Sequence, residues 1–251
     1  MTLERLLAAL DLPGTCLVDR RVPKKLLIEN AAVKASDKRL INNGIEEVSW
    51  VAAVKPTTIA VPAYRDESRE YLEIAVVTVT LRPSNKTGRL QELVHRAIPY
   101  PVVLLTAQGK KSGVCLAHKR YSQSDSTQTV LDGDLVRVEW NGTKDNRHDA
   151  DFVDAFSLAR QPQSSLFATY QGLIETVVAL EAARRTGTFK PISGADAKAR
   201  HEALQECSRL EIEIAKLGSA ARKERQVTRR IELNLKIKRK EAQLGTERSK
   251  L

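Results

Sequence analysis

Acidic side chains gather just before the most strand-like segment of the chain, where carboxylates can bind a divalent metal ion. Glu67, Glu70 and Glu73 precede residues 74–81, most of which are β-branched. Metal sites of nucleases use a lysine close to such a carboxylate, as an acid-x-Lys pair. Here the first basic residue after Glu73 is Arg82, beyond the strand, so that pair is missing. Because that pair is missing, a divalent-metal-dependent DNA nuclease using Glu70 and Glu73 is kept as the less favoured, alternative function.

A second group of residues has the side-chain types of a cation site. His148 is followed by Asp149, Asp151 and Asp154, and the last two share a helix face because they are three residues apart. Acidic residues in a first helical turn also complement the helix dipole, and Asp149 is a suitable N-cap. The helix-start interpretation is favoured, so no metal site is predicted here.

The remaining nucleophile and ligand types are scattered along the chain. His95 and His118 are isolated, and Cys115 lies inside a predicted strand, as is typical of structural residues. The sequence contains no Walker A, HExxH, GxSxG or GxGxxG pattern. We therefore predict no catalytic residue, no metal ligand and no cofactor, and a protein without enzymatic activity is favoured over an enzyme.

Positive charge is concentrated near the carboxyl-terminal end. Residues 216–250 hold twelve Lys/Arg and four Asp/Glu, a net charge of +8 out of +10 for the whole chain. The predicted binding residues are Arg222, Lys223, Arg225, Arg229, Arg230, Lys236, Lys238 and Arg239. Such cations give a salt-dependent, sequence-independent affinity for phosphates, and an acidic protein groove is an equally suitable partner. DNA and protein both stay open as partners, and the third interpretation is a solvated helix face.

The same segment carries apolar residues on two sides of a helix. At about 100° per residue, one side holds Val227, Ile231 and Leu235. The opposite side holds Leu233, Ile237 and Leu244. A two-stranded coiled coil would bury only one side, so we predict that the helix lies between two neighbours or in a groove. Gly218 marks a weak spot or a tight corner, and a homo-oligomer stays open.

Periodicity predicts an α+β fold, with a small mixed sheet flanked by helices and followed by a long C-terminal basic helix or coiled-coil segment. Apolar spacing predicts single helices over 24–41 and 88–97, and a strand is predicted over 71–81. The stretch TGTFKPISG has the composition of a linker. The predicted organisation is an α+β globular domain over residues 1–186, a linker over 187–195 and a basic helical tail over 196–251.

Composition places the chain among globular proteins that do not enter a membrane. Hydrophobic residues make up 42% of 251 residues, and no run reaches the roughly 18 apolar residues that span a bilayer. The first helical segment is charged, unlike a signal peptide. Cys16, Cys115 and Cys207 are widely spaced without a CxxC pair, which favours a reducing compartment. The predicted location is the cytoplasm.

Six segments carry a family resemblance: KKLLIENA, DKRLI, EYLEI, AIPYP, AHKR and ARKERQVTRRIELNLKIKR. In that order they resemble the bacterial family called domain of unknown function 4391, and the resemblance covers most of the chain. It implies a genomic setting beside helicases and site-specific DNA methyltransferases, in what look like anti-phage defence islands. It implies helicase or methyltransferase subunits as partners and supplies no established activity.

These observations together predict a non-catalytic accessory or adaptor subunit of a bacterial DNA-processing complex. The α+β domain is expected to bind one protein partner, and the basic tail is expected to bind another partner or DNA. The alternative from another class is the metal-dependent nuclease that uses Glu70 and Glu73.

Overall fold

A computed structural model describes residues 1–31, 34–83, 86–125, 128–142 and 147–251. The chain divides into two compact units, Met1–Val177 and Val178–Leu251. The helices are α1 (Leu3–Ala9), α2 (Lys24–Asn30), α3 (Ala35–Gly44), α4 (Pro56–Ile59), α5 (Thr87–Ala97), α6 (Asp149–Ala155), α7 (Leu166–Thr186), α8 (Ala195–Lys223) and α9 (Val227–Arg248). The strands are β1 (Leu17–Arg21), β2 (Ile45–Val54), β3 (Tyr64–Arg65), β4 (Glu70–Tyr71), β5 (Ile74–Leu81), β6 (Val102–Gln108), β7 (Lys111–Tyr121) and β8 (Thr129–Trp140).

Six strands of the first unit form one mixed sheet in the order β1-β2-β5-β6-β7-β8, and β3 pairs with β4 separately. β5 and β6 are parallel, whereas their neighbours in the sheet pair antiparallel. A parallel pair needs a crossover connection, and α5 supplies it. The predicted fold class, a mixed sheet flanked by helices and followed by a long helical C-terminal segment, is confirmed.

Strand β5 shows how the sequence positions the core. Every second residue from Ala75 to Leu81 is at most 3% exposed and shares a buried cluster with Leu90 of α5. Ile74 and Val76, which alternate with them, are also buried. Because successive side chains point to opposite faces, β5 is covered on both faces of the sheet.

The hydroxyl of Tyr170 in α7 closes a gap between β6 and β7. The ladder between these strands ends at the pair Leu104 and Cys115, so its next rung would join Val102 and Ala117. Tyr170 Oη instead donates a hydrogen bond to the Val102 carbonyl oxygen at 2.8 Å and accepts one from the Ala117 backbone N–H at 3.0 Å. One buried side chain therefore supplies the partner that each strand lacks.

Three sequence predictions about single elements need correction. The helix predicted over 24–41 is two helices, α2 and α3, because Lys34 has an extended backbone with ψ 163°; residues 32 and 33 of that span lie outside the described residues. The strand predicted over 71–81 is interrupted between β4 and β5. The tail, predicted as one long helix, consists of α8 and α9.

Gly172 lies inside α7, where alanine is ordinarily more favourable by about 1 kcal/mol. A Cβ at this position would lie 2.5 Å from Oε1 of Gln161 and 2.7 Å from Cδ of Pro162. The Gln161 amide is itself held, because it donates hydrogen bonds to the carbonyl oxygens of Ala155 and Ser157. We therefore expect Gly172→Ala to lower the free energy of unfolding by about 1–3 kcal/mol, measured by urea denaturation with circular dichroism.

The matched control for that substitution is Gly218→Ala in α8. A Cβ at Gly218 would meet nothing within 4 Å, so this variant should gain about 0.5–1 kcal/mol of stability. A stabilisation of the same size at Gly172 would show that the α7 contact is not tight.

The three cysteines are buried and carry free thiols. Burial raises the pKa of the Cys115 thiol to about 12, so this group stays protonated and behaves as a small core residue, as predicted. Within the described part of the chain, no helix combines the length and apolar character that crossing a membrane requires.

Candidate interaction surface on the C-terminal helical hairpin

The second unit ends in two helices joined by a short turn. α8 stops at Lys223, and Glu224, Arg225 and Gln226 precede α9. Glu224 and Gln226 have extended backbones, with ψ 125° and 120°. The Glu224 carboxylate accepts a hydrogen bond from the Gln226 backbone N–H at 2.8 Å, which stabilises the turn. Because α8 and α9 also pack against each other, the region is a helical hairpin.

The position of the turn follows from the apolar spacing of α8. Leu210 and Ala221 are buried, and Ile214 and Leu217 between them are partly buried, in a line of alternating steps of four and three. The next position in that line is Glu224, where a charged side chain cannot extend an apolar seam. Gly218, expected to mark a weak spot or a tight corner, lies inside the continuous helix α8, so the chain does not turn a corner there.

Two ion pairs and one apolar face join α8 to α9. Lys240 Nζ lies 2.9 Å from Glu213 Oε2, and Arg248 Nη2 lies 3.0 Å from Glu211 Oε1. The partly buried aliphatic residues of α9 are Leu233, Ile237 and Leu244. Their spacing of four and seven places them on the same face as Lys240. One of the two predicted apolar sides of this helix is therefore covered by α8 of the same chain.

The other apolar side of α9 is open to solvent. Val227, Ile231 and Leu235 are 60%, 54% and 52% exposed, and α9 contains no buried residue. Because they are four residues apart, they form a line about 12 Å long on the helix surface. We call these three residues the aliphatic stripe. Within the part of the chain that the structure describes, nothing buries it.

All eight predicted binding residues are exposed. Arg222 and Lys223 end α8, and Arg225 lies in the turn. The members in α9 are Arg229, Arg230, Lys236, Lys238 and Arg239. Among the described residues, none of the eight has a carboxylate within ion-pair distance. Their positive charge is therefore available to a partner.

Part of this charge lines a groove between the two helices. Lys216 and Leu217 of α8 and Lys236 and Arg239 of α9 border a cavity of about 490 Å³. Lys240 and its ion-pair partner Glu213 also line it. The groove thus combines an aliphatic side chain with several cations, a combination suited to an acidic group attached to an apolar body.

The carboxylates of the nuclease alternative are each held by a cation. Glu73 is 6% exposed, and its Oε2 lies 2.9 Å from Lys55 Nζ. Glu70 accepts hydrogen bonds from Arg65 Nε at 3.1 Å and from Tyr121 Oη at 3.0 Å. The described residues contain no group of three or more His, Cys, Asp or Glu placed to hold a metal ion. The nuclease alternative therefore has no assembled donor set in this part of the chain and stays a prediction.

Lys55 is the residue of this region that sequence reasoning missed. It follows β2, and the antiparallel pairing of Val54 with Ile74 places it beside Glu73. The hydrogen bond to Glu73 and the charge of that carboxylate raise the pKa of Lys55. An acid-x-Lys pattern places both residues in one segment, whereas Lys55 and Glu73 are brought together by two neighbouring strands. Only the register of β2 on β5 could have indicated it.

The acidic residues around His148 belong to the start of a helix. His148 is the N-cap of α6, so the expectation that Asp149 is the cap was wrong by one residue. Asp149 is fully buried and accepts a hydrogen bond from Trp140 Nε1 at 2.8 Å. Asp154 pairs with Arg160 at 2.9 Å. Asp149 and Asp154 therefore have structural partners.

His118 takes part in a hydrogen-bonded chain rather than standing alone. Its Nδ1 lies 2.5 Å from Tyr71 Oη, and its Nε2 lies 2.6 Å from Gln171 Oε1. Because the Gln171 oxygen only accepts, Nε2 carries the proton and Nδ1 accepts from the tyrosine hydroxyl. Burial lowers the pKa of His118, which favours this neutral form. His95 is fully buried in α5.

The fold and this surface define a mixed α+β protein that carries a basic helical hairpin. The family described as Domain of unknown function (DUF4391) matches residues 10–244. The chain belongs to that family. No curated protein matches the chain, and no solved structure does either.

Proposed function

We propose that this protein is a non-catalytic accessory or adaptor subunit of a bacterial DNA-processing complex of the helicase or methyltransferase type that serves anti-phage defence. The family resemblance supports that setting and points to a helicase or a DNA methyltransferase subunit as the partner. The contact is made by the exposed cations of the hairpin, in the cytoplasm, with a protein surface or DNA as the bound group.

The observation that carries the proposal is that exposed cations without an ion-pair partner among the described residues lie on the same hairpin as the exposed aliphatic stripe. Eight exposed cations of the hairpin lack a carboxylate partner among the described residues, and the aliphatic stripe lies on the same helix as five of them. A helix face that served solubility alone would not need three large aliphatic side chains in a line. A surface that a partner covers accounts for both features.

The test is a charge reversal at the tip of the hairpin in the full-length chain. The variant replaces five cations by glutamate: Arg222, Lys223, Arg225, Arg229 and Arg230. Co-purification of the neighbouring gene products from the native operon should be lost, because each reversal turns an attraction into a repulsion. Binding of a DNA duplex, followed by fluorescence anisotropy over a range of salt, should weaken by at least about tenfold if DNA is the partner.

A matched control reverses five exposed cations of the first unit: Arg20, Lys25, Lys34, Lys38 and Arg39. It changes the net charge of the chain by the same amount and should leave co-purification and DNA binding intact. If both variants bind alike while their thermal unfolding is unchanged, the hairpin is not the binding surface.

A further inference from the structure

We propose that the aliphatic stripe of α9 is the docking face for an acidic amphipathic helix of a partner protein. This inference rests on the proposed adaptor function and names the chemistry of the bound element. Val227, Ile231 and Leu235 would contact the apolar face of that helix, and the neighbouring cations would contact its carboxylates.

The spacing of the stripe matches helix recognition. Its three side chains recur every four residues and are each more than half exposed, so they offer an apolar line about two helical turns long. A partner helix that carries apolar anchors at steps of three and four residues presents a complementary line. Ordinary surface aliphatics are scattered singly, whereas these three are aligned.

The charges around the stripe select an acidic partner. Lys238 and Arg239 follow Leu235 by three and four residues and therefore continue the line on the same side of the helix. Arg230 follows Val227 by three residues. These three cations are exposed and have no ion-pair partner among the described residues. Glutamates flanking the apolar anchors of a partner would pair with them.

Two other occupants fit less well. A second copy of this chain would bring like charges together, because α9 carries seven Lys/Arg against three Asp/Glu. DNA would neutralise the cations through its phosphates, yet it would leave three aliphatic side chains with no apolar surface to meet. An acidic helix satisfies the charge and the apolar line together.

The experiment uses full-length protein and three labelled synthetic helical peptides of about 18 residues, or five turns. The first carries leucine anchors with glutamate elsewhere, the second replaces the leucines by glutamine, and the third replaces the glutamates by lysine. Fluorescence anisotropy should show binding of the first peptide, at least about tenfold weaker binding of the second and no binding of the third. Equal binding of the first two peptides would overturn the proposal, because it would leave the stripe without a role.

A pair of variants locates the site. Ile231→Ser should weaken binding of the leucine–glutamate peptide by about tenfold. Ile212→Ser, at an isoleucine of α8 that is 56% exposed, is the matched control and should bind as the unmodified chain does. Equal affinities for the two variants would overturn the proposal. The proposal would also be overturned if the protein forms a concentration-dependent dimer that Ile231→Ser abolishes. The stripe would then bind a second copy of the chain.

The adaptor function can fail separately from this inference. If charge reversal of the hairpin tip abolishes co-purification while Ile231→Ser does not, the adaptor function stands and the helix-docking proposal fails. If neither variant changes co-purification, both fail.

Discussion

Replacing Tyr170 by phenylalanine should destabilise the first unit by about 2–3 kcal/mol, although the change removes a single oxygen atom. The hydroxyl is the hydrogen-bond partner of the Ala117 N–H and the Val102 carbonyl where the β6–β7 ladder stops. Both backbone groups lie in buried residues, so water cannot replace the hydroxyl. A buried donor left without a partner costs about 1–3 kcal/mol. Urea denaturation followed by tryptophan fluorescence measures the effect, since Trp50 and Trp140 both lie in this unit.

The matched control is Tyr64→Phe. The Tyr64 hydroxyl donates to Asp66 Oδ2 at 2.8 Å in an exposed hydrogen bond, which water can replace. We expect this variant to change the free energy of unfolding by less than about 0.5 kcal/mol. Similar losses in the two tyrosine variants would mean that the Tyr170 hydroxyl does not support the sheet.

Acidification from pH 7 to pH 5 should destabilise the protein by about 2 kcal/mol through His95 alone. Burial, assisted by the nearby charge of Lys119, lowers the pKa of His95 from 6.5 to about 3. Below pH 6.5 the unfolded chain therefore binds a proton that the folded chain does not bind, until the pH approaches 3. Because the unfolded state then binds more protons, stability falls as the pH falls through this window.

His95→Leu should flatten that part of the pH profile, because leucine fills a similar volume and cannot bind a proton. The measurement is the free energy of unfolding at pH 7, 6 and 5, above the range in which most carboxylates titrate. His118, whose pKa burial also lowers, remains in the variant and should preserve a smaller slope of the same sign. Parallel profiles for the two proteins would contradict the assignment.

Local patterns predicted much of the fold because they depend on neighbours in the sequence. Helix α5 and strand β6 could be read from apolar spacing and from the prolines Pro99 and Pro101, which separate them. The division between α2 and α3 could not be predicted in this way, because apolar helical spacing continues past Lys34, whose backbone is extended. Periodicity reports which face is apolar and says little about where a helix bends.

The sequence predicted which residues form the candidate surface, but it predicted their arrangement in space only in part. The cations and the two apolar sides of α9 follow from the positions of residues along the sequence. All eight predicted binding residues are exposed, as a binding surface requires. The contact of Leu233, Ile237 and Leu244 with α8 requires α9 to fold back at Glu224. This turn lacks the usual glycine or proline, so the sequence did not indicate it. Contacts between distant segments, such as Lys55 with Glu73 and Tyr170 with Ala117, depend on how the strands and helices pack together. They could not be predicted from the sequence.

The turn at Glu224 also affects how fast a polyanionic partner can associate with the hairpin. It brings cations from the end of α8, the connection and the start of α9 to one tip, whereas the chain outside residues 216–250 has a net charge near zero. Such an uneven distribution attracts a polyanion over distances comparable with the Debye length, about 8 Å at physiological ionic strength, and can raise association rates by about 10–1000-fold. Any polyanionic partner should therefore approach the tip first, and its association rate constant should decline as salt is added while dissociation changes less.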